Sequence, residues 1–275
     1  MKSESIKIVL VGNGSYQNRG CEAIVRGTME ILRNQYGENV QLASGAIAHP
    51  AVVDAQVVTE QDEMVRSFSM SEGGHRWSPK WWASKSNDYL GTQFRPYLWQ
   101  LNSEMSDCAA VLQVGGDNYT LDYGLPTRFL EIDQHIWKDG IPLILWGASV
   151  GPFSENPDFE KKMFEHLSRL DAVFVRECLS FKYLVDRGLD SNVYHVADPA
   201  FLLPSEKPKK KIDGTEEDGI IGINLSPLIG KFRTGKTDVE VGSWMQLCVD
   251  AVASAAEEFQ RPILLIPHVL SLIHI

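Results

Sequence analysis

The sequence predicts an α/β protein built on a parallel sheet. Short, β-branched apolar runs alternate along the chain with stretches in which apolar residues recur at helical spacing, as in successive strand–helix–strand units. Several predicted strands end in glycine or in charged side chains, which is typical of a sheet edge that binds a ligand. Hydrophobic residues make up 44% of the 275-residue chain, which is enough to form a buried core.

The first region opens with a strand at residues 6–11, a glycine-rich loop at 12–20 and a helix at 21–33, where apolar residues have helical spacing. Beyond it we expect short strands within residues 40–57 and a tryptophan-rich helical insertion at 61–105. The remaining predicted strands are 109–114, 142–146, 172–175 and 192–196, and the remaining predicted helices are 126–138, 157–169 and 177–187.

A charged segment precedes a second α/β region. Residues 206–218 combine lysine, glutamate, glycine and proline, which predicts an exposed linker. We therefore expect an N-terminal Rossmann-like domain at 1–205 and a partial C-terminal one at 219–275. The elements predicted in the latter are a strand at 219–225, a helix at 243–259 and a strand at 262–267. Because the chain stops soon after that strand, we expect the second domain to be truncated.

Bulk composition argues against several classes of partner. The formal net charge is −10, which disfavours a groove that follows nucleic-acid phosphates. The sequence has no apolar stretch of membrane-spanning length, and its polar first residues do not fit a signal peptide. The four cysteines are widely separated and lack the spacing of a zinc site. We expect a cytoplasmic protein with reduced cysteines, no metal and no cofactor.

The loop at 12–20 resembles a phosphate-binding turn. Its glycines would let the backbone approach an anion at the N-terminus of the following helix. The loop matches neither the dinucleotide-binding fingerprint nor the P-loop. Its candidate ligand residues are Asn13, Asn18 and Arg19. The alternatives are a tight turn that binds nothing and an ion pair between Arg19 and Glu22.

A second glycine motif follows the strand at 109–114. Gly115 and Gly116 place Asp117 and Asn118 at the strand end, where a carboxylate and an amide can bind a sugar hydroxyl or serve as acid or base. The alternative is that Asp117 or Asn118 caps a following helix.

Charged candidates also follow the later strands. Arg176 can hold a phosphate or carboxylate through two parallel hydrogen bonds, or it can pair with Glu177 or Asp171. Asp198 can line the same edge or cap the turn that follows it. His268, after the last strand, is a candidate general acid or an ordinary surface histidine.

Taken in order, these motifs resemble the polysaccharide pyruvyl transferase family. The resemblance covers roughly residues 6–270, apart from the insertion at 61–105. The stretches that carry it are GNGSYQNRGCEAI at 12–24, VGGDN at 114–118, WGASVGP at 146–152, VFVRE at 173–177 with Ser180 and Leu184, VADPAF at 196–201, and IPH at 266–268.

The resemblance implies two Rossmann-like domains in a glycosyltransferase-B-like arrangement, and transfer of pyruvate from phosphoenolpyruvate to a pair of sugar hydroxyls as a ketal. Arg176 would then clamp the donor, His268 would protonate it, and Asp117 would bind or activate the acceptor hydroxyl. The acceptor would be a saccharide, and the sequence leaves open whether it is lipid-linked. The family's second domain extends well beyond its histidine, which leaves the activity of this chain by itself open. The alternatives are a glycosyltransferase that uses a nucleotide sugar and a non-catalytic glycan-binding relative.

Overall fold

Seven parallel strands form the sheet of the larger of two units, which comprises Met1–Tyr16 and Gly20–Leu203. The computed structural model describes residues 5–72, 77–90, 94–205, 219–225 and 238–266. The strand order is β3-β2-β1-β4-β5-β6-β7, so the order reverses between β1 and β4. The strands are β1 (Ile6–Asn13), β2 (Val40–Ala46), β3 (Val65–Ser69), β4 (Ala110–Tyr119), β5 (Leu143–Val150), β6 (Ala172–Val175) and β7 (Val193–His195).

Helices cover both faces of this sheet. Along β1, Ile8 and Leu10 join one apolar cluster while Val9 and Val11 join the other, as the alternation of side chains along a strand requires. Strands buried on both faces are apolar throughout, which explains why they were readable from the sequence. The helices are α1 (Arg19–Tyr36), α2 (Pro50–Thr59), α3 (Pro79–Leu90), α4 (Pro96–Met105), α5 (Thr127–Lys138), α6 (Pro157–Leu167) and α7 (Cys178–Val185). The predicted α/β class is confirmed.

The region after β2 differs from the prediction of short strands across 40–57. Only Val40–Ala46 is a strand, and Pro50–Thr59 is helix α2. Pro50 lies in the first turn, where a backbone N–H has no helical partner to lose. The ring of His49 accepts a hydrogen bond from the Ala51 N–H at 3.2 Å and so caps the helix.

The tryptophan-rich insertion is helical only in part. Residues 65–69 form β3, which pairs with β2 at the edge of the main sheet. The helices α3 and α4 follow, and the rings of Trp77, Trp81 and Trp82 pack against one another with centroids 4.8–5.6 Å apart. The expectation of a helical insertion is therefore correct for α3 and α4 and wrong for β3.

Strand β4 continues through residues that were expected to form a turn. Gly115 approaches β5 so closely that a Cβ on it would lie 2.1 Å from the Cβ of Ala148. The register between the two strands shifts between Gly116 and Tyr119, and Gly116 has a φ of 44°. These glycines therefore allow an irregularity in the strand at the point where Asp117 and Asn118 follow.

A buried polar group lies on the α5 side of the sheet. The Tyr119 hydroxyl donates to Oδ2 of Asp133, and Nε2 of His166 lies 2.8 Å from the same oxygen. Burial raises the pKa of the Asp133 carboxyl, while the hydrogen bonds with His166 and Tyr119 act in the opposite direction.

The second unit comprises Gln17–Arg19 and Pro204–Ile275. In it β8 (Ile221–Ile223) pairs in parallel with β9 (Ile263–Leu265), and α8 (Asp238–Phe259) lies between them in the chain. These elements match the predicted strand–helix–strand order. The predicted linker at 206–218 lies outside the described residues, and the boundaries at 205 and 219 stay a prediction. None of the helices in the described ranges is long and apolar enough to cross a bilayer.

Candidate functional site

Arg176 directly follows β6 and lies among three carboxylates. Its Nη2 donates to Oδ1 of Asp117 at 2.6 Å, and its Nη1 donates to Oδ2 of Asp198 at 2.8 Å. Its Nε donates to the Ser149 hydroxyl at 3.0 Å and lies 3.4 Å from Oε1 of Glu177. The guanidinium is therefore held at all three of its nitrogens.

These side chains meet because each lies at or just beyond the carboxyl end of a parallel strand. Asp117 lies in the last part of β4 and Ser149 in the last part of β5, while Arg176 follows β6 and Asp198 follows β7. The Arg176 N–H continues the sheet pairing by donating to the carbonyl of Ala148 at 3.0 Å. The structure thus brings together Asp117, Arg176 and Asp198, which the sequence placed at one edge.

Asp198 combines both roles that the sequence left open. Its Oδ1 accepts from the Ala200 N–H at 2.8 Å and caps the short 3₁₀ helix Pro199–Leu202, while its Oδ2 pairs with Arg176. For Arg176, the structure has the ion pair with Glu177, whereas Asp171 accepts from the Leu143 N–H instead.

The hydroxyls of Ser149 and Ser180 connect Arg176, Glu177 and strand β5 in a hydrogen-bond network. Ser149 Oγ accepts from Arg176 and donates to Oε1 of Glu177 at 2.5 Å, and Ser180 Oγ donates to Oε2 of the same residue at 3.1 Å. The Val150 N–H donates to Ser180 at 2.9 Å. Sequence reasoning did not include Ser149, Glu177 or Ser180 among the site residues, although all three lie in motifs that carry the family resemblance.

The electrostatics keep Arg176 charged. Burial is the largest influence and lowers its pKa, but the hydrogen bond with Asp198 and the charges of Asp117, Asp198 and Glu177 more than offset it, so the pKa is raised. Three carboxylates around one guanidinium leave a formal excess of negative charge.

An open cleft of about 560 Å³ adjoins this group. Arg176, Glu177 and Asp198 form its charged side, and Phe201 is exposed at its apolar side. A cleft that combines an arginine with an apolar wall suits a small anion that has a carbon skeleton. The residues that line it are Arg176, Glu177, His195, Val196, Ala197, Asp198 and Phe201.

Two predicted ligand residues are hydrogen-bonded to the backbone through their side-chain amides. Asn13 is buried, and its Nδ2 donates to the carbonyl of Cys21 at 3.0 Å. Asn118 Nδ2 donates to the carbonyls of Gly12 and Val114, both at 2.9 Å. Since an amide has two N–H donors, Asn118 keeps only its carbonyl oxygen for a ligand. The alternative that Asp117 or Asn118 caps a helix does not hold, because both lie within β4.

The other predicted residues are placed as follows. Arg19 is the exposed first residue of α1, Asn18 precedes it, and Glu22 pairs with Arg26 at 3.6 Å. The roles of Asn18 and Arg19 stay predictions, as do those of Gly115 and Gly116 in binding. His268 lies outside the described residues. Within the described ranges, no group of three or more His, Cys, Asp or Glu side chains is arranged to hold a metal ion.

The fold and the order of these strand-end motifs agree with what comparison with known proteins finds. The chain belongs to the polysaccharide pyruvyl transferase family, which it matches over residues 18–254. It is 27% identical over 212 residues to the amylovoran biosynthesis protein AmsJ of Erwinia amylovora, a match that covers 72% of this chain and 49% of AmsJ. The chain thus spans about half the length of this curated relative.

Solved structures share the fold at low identity. A protein assigned as a UDP-N-acetylglucosamine 2-epimerase from Listeria monocytogenes superposes with a TM-score of 0.50 and 13% identity, covering 96% of this chain and 62% of that one. The UDP-GlcNAc 2-epimerase of Methanocaldococcus jannaschii has a TM-score of 0.48 and 10% identity, covering 95% and 65%. The Listeria structure supports the glycosyltransferase-B-like fold class and does not bear on activity.

Proposed function

We propose that this chain is part of a transferase that moves pyruvate from phosphoenolpyruvate to a pair of hydroxyls on a polysaccharide or its precursor, forming a ketal. The observation that carries the proposal is Arg176, held in a cleft at the carboxyl edge of the parallel sheet, in a chain that belongs to the family. Family membership supports the reaction class, and the position of Arg176 supports its role as the anion-binding group.

The donor fits the chemistry of this cleft. Phosphoenolpyruvate carries a carboxylate and a phosphate on a three-carbon skeleton, and a guanidinium binds either group through charge-assisted hydrogen bonds. The guanidinium of Arg176 is oriented before any ligand arrives, because Ser149 and Asp198 hold its Nε and Nη1. Such fixed orientation reduces the entropy lost on binding.

Three proton transfers balance the reaction, and the proton that Asp117 receives is returned through solvent to replace the one that the acid gives. An acid, assigned by the family resemblance to His268, protonates the methylene carbon of the donor and leaves an oxocarbenium-like centre at the neighbouring carbon. One acceptor hydroxyl attacks that carbon and gives its proton to Asp117, and the C–O bond to phosphate then breaks. The second hydroxyl attacks the same carbon, and its proton leaves with inorganic phosphate.

The neighbours of Arg176 support a place for the acceptor hydroxyls. Asp117 is half exposed, so its carboxylate can receive a hydroxyl proton. The carbonyl oxygen of Asn118 can accept a hydrogen bond from a second hydroxyl, because both amide N–H groups are already used. Hydroxyl donors therefore suit the carboxylate of Asp117 and the carbonyl oxygen of Asn118.

A binding and transfer experiment on the full chain tests the proposal. We expect phosphoenolpyruvate, and neither UDP-sugars nor GDP-sugars, to raise the unfolding temperature, with about 2.7 kcal/mol of stabilisation at 100 times Kd. Arg176→Ala should abolish that increase, whereas Arg95→Ala, which removes an exposed arginine paired with Glu131, should retain it.

Transfer is measured as phosphate release together with the mass gained by an oligosaccharide acceptor. Stabilisation by nucleotide sugars instead of phosphoenolpyruvate would favour the glycosyltransferase alternative, and binding of glycan without phosphate release would favour the non-catalytic one. Full transfer by His268→Ala would remove that residue from the mechanism.

A further inference from the structure

We infer that the carboxylate of Asp117 occupies on Arg176 the position that the donor's carboxylate takes, and that the donor binds by displacing it. This inference rests on the proposed function, since it describes how the same site receives phosphoenolpyruvate. The contact concerned is the 2.6 Å hydrogen bond from Nη2 of Arg176 to Oδ1 of Asp117.

The charge around Arg176 makes a displacement necessary. Asp117, Asp198 and Glu177 already surround the one guanidinium. Phosphoenolpyruvate is itself anionic at both ends, and adding it to a group with an excess of negative charge is unfavourable in a partly buried site. The donor therefore binds well only if one of the three carboxylates moves away.

Asp198 and Glu177 are held in place by other groups. Asp198 is only 17% exposed, and its second oxygen accepts from the Ala200 N–H. Glu177 has hydrogen bonds on both oxygens, from Ser149 and from Ser180. Moving Asp198 would break the cap of the 3₁₀ helix, and moving Glu177 would break its hydrogen bonds with the two serines.

Asp117 is the one that can move. Its side chain is 49% exposed, close to the 46% of Glu177, but unlike Glu177 it is held through a single oxygen, by its contact with Arg176. It follows Gly116, which has open space beside it, in the irregular part of β4. A rotation of the Asp117 side chain toward solvent therefore requires no repacking of the core.

The replacement favours the donor's carboxylate over its phosphate. A carboxylate exchanged for a carboxylate keeps both the planar geometry and the charge next to Asp198 and Glu177 unchanged. A phosphate in the same place would add charge beside two carboxylates that stay. Meanwhile Nε and Nη1 of Arg176 keep their partners, so the guanidinium retains its orientation.

Displacement also links the two substrates. While Asp117 is bonded to Arg176, only one of its carboxylate oxygens can accept a hydrogen bond from an acceptor hydroxyl. The displaced carboxylate can accept through both oxygens, next to the carbonyl oxygen of Asn118. When the acceptor oxygen forms its bond to the donor carbon, its proton passes to Asp117. The acceptor is thus activated only after the donor is in place.

Binding to the Asp117→Asn variant tests the exchange. An amide competes less well for the guanidinium, so we expect phosphoenolpyruvate to bind this variant roughly 5- to 30-fold more tightly, as measured by titration calorimetry on the full chain. Pyruvate, used as a carboxylate probe, should gain affinity in the same way, while inorganic phosphate should gain less. Asp122→Asn, which removes the charge of an exposed neighbour in the same segment, should bind all three like the wild type.

The outcomes separate the inference from the function on which it rests. If wild type does not bind phosphoenolpyruvate, or if Arg176→Ala binds it equally well, the proposed function fails. If wild type binds it through Arg176 and Asp117→Asn binds it no more tightly, the exchange alone is overturned. An equal gain for inorganic phosphate would overturn the assignment to the carboxylate. Circular dichroism of each variant, and Asp117→Ala as a second variant, guard against misfolding.

Discussion

Gly27 of α1 is in direct backbone contact with Pro199, since a Cβ on Gly27 would lie 1.9 Å from the Pro199 carbonyl oxygen. Pro199 begins the 3₁₀ turn that Asp198 caps, and Asp198 holds Nη1 of Arg176. Gly147 of β5 borders the same proline, with a Cβ position 2.8 Å from its ring. The close packing of a helix on one loop therefore fixes the position of a carboxylate in the site.

Replacing Gly27 by alanine should lower the stability of the protein. The added methyl meets backbone atoms that cannot rotate away, so we expect a loss of about 1–3 kcal/mol, the usual cost of overpacking. Gly242→Ala is the matched helical control, because within the described part of the chain no atom outside its own helix backbone lies within 4 Å of its Cβ position. Urea unfolding followed by circular dichroism measures both, and a Gly27→Ala midpoint equal to that of wild type would contradict the contact.

Removing the Ser149 hydroxyl should weaken donor binding more than catalysis. Ser149→Ala deprives Nε of Arg176 of its acceptor and Glu177 of a donor, and a hydrogen bond to a charged group contributes about 1.5–3 kcal/mol. We expect KM for phosphoenolpyruvate to rise roughly tenfold or more, with a smaller change in kcat.

Two variants control this prediction. Ser149→Thr keeps the hydroxyl and should restore part of the affinity, while Ser168→Ala removes an exposed hydroxyl that bonds only to the Glu165 carbonyl among its described contacts. A fall in kcat at constant KM would show that Ser149 acts in the chemical step and is not a positioning residue.

The buried Asp133 should make stability depend on pH. Its pKa is raised from 3.8 in the folded protein, so its protonated form is favoured there. The stability that protonation provides is complete below pH 3.8 and is lost as the pH rises through the folded pKa. Each unit by which folding raises the pKa corresponds to about 1.4 kcal/mol of free energy. We expect the free energy of unfolding of wild type, relative to Asp133→Asn, to fall as the pH rises above 3.8 and through the folded pKa.

Urea titrations of both proteins across that range measure the difference. Asp139→Asn, at the exposed end of α5, is a control that should show no such trend. A difference that grows with pH would mean that the ion pair with His166 outweighs burial.

The four cysteines should differ in their reactivity. Cys178 is exposed at the start of α7, with Sγ 3.7 Å from Nε2 of His195. Burial raises the thiol pKa of Cys21 and Cys108, and Cys248 is buried. With limiting iodoacetamide, we expect Cys178 to be alkylated roughly tenfold faster than the others. Peptide mass spectrometry measures each site, and Cys178→Ser should eliminate the fast phase. Equal rates at all four sites would contradict the prediction.

The sequence was most informative about the buried strands and least informative about where they end. Parallel strands covered on both faces are continuous apolar runs, so β1, β5 and β6 were readable. The glycines of β4 suggested a turn, but the close approach of Gly115 to β5 depends on Ala148, which is distant in sequence. Helix α2 is rich in valine, whose branching usually favours strands, and the prediction of strands there was wrong for that reason.

The location of the site in the sheet was predictable from the sequence, but the arrangement of its side chains was not. Asp117, Arg176 and Asp198 were expected at one edge because carboxyl ends of parallel strands adjoin. Their mutual ion pairing was not predictable, since it depends on side-chain directions after several different strands. Ser149 and Ser180 were missed because a serine near a strand end has no distinctive pattern until the backbone around it is known.

Asn118 has a mechanical consequence for the sheet. The reversal of strand order between β1 and β4 opens the crevice where sheets of this type commonly hold a nucleotide. Here the Asn118 amide spans that crevice and ties the Gly12 carbonyl to β4. These two bonds add a side-chain link to the main-chain pairing of β1 with β4, while the cleft beside Arg176 lies further along the sheet, at the ends of β6 and β7.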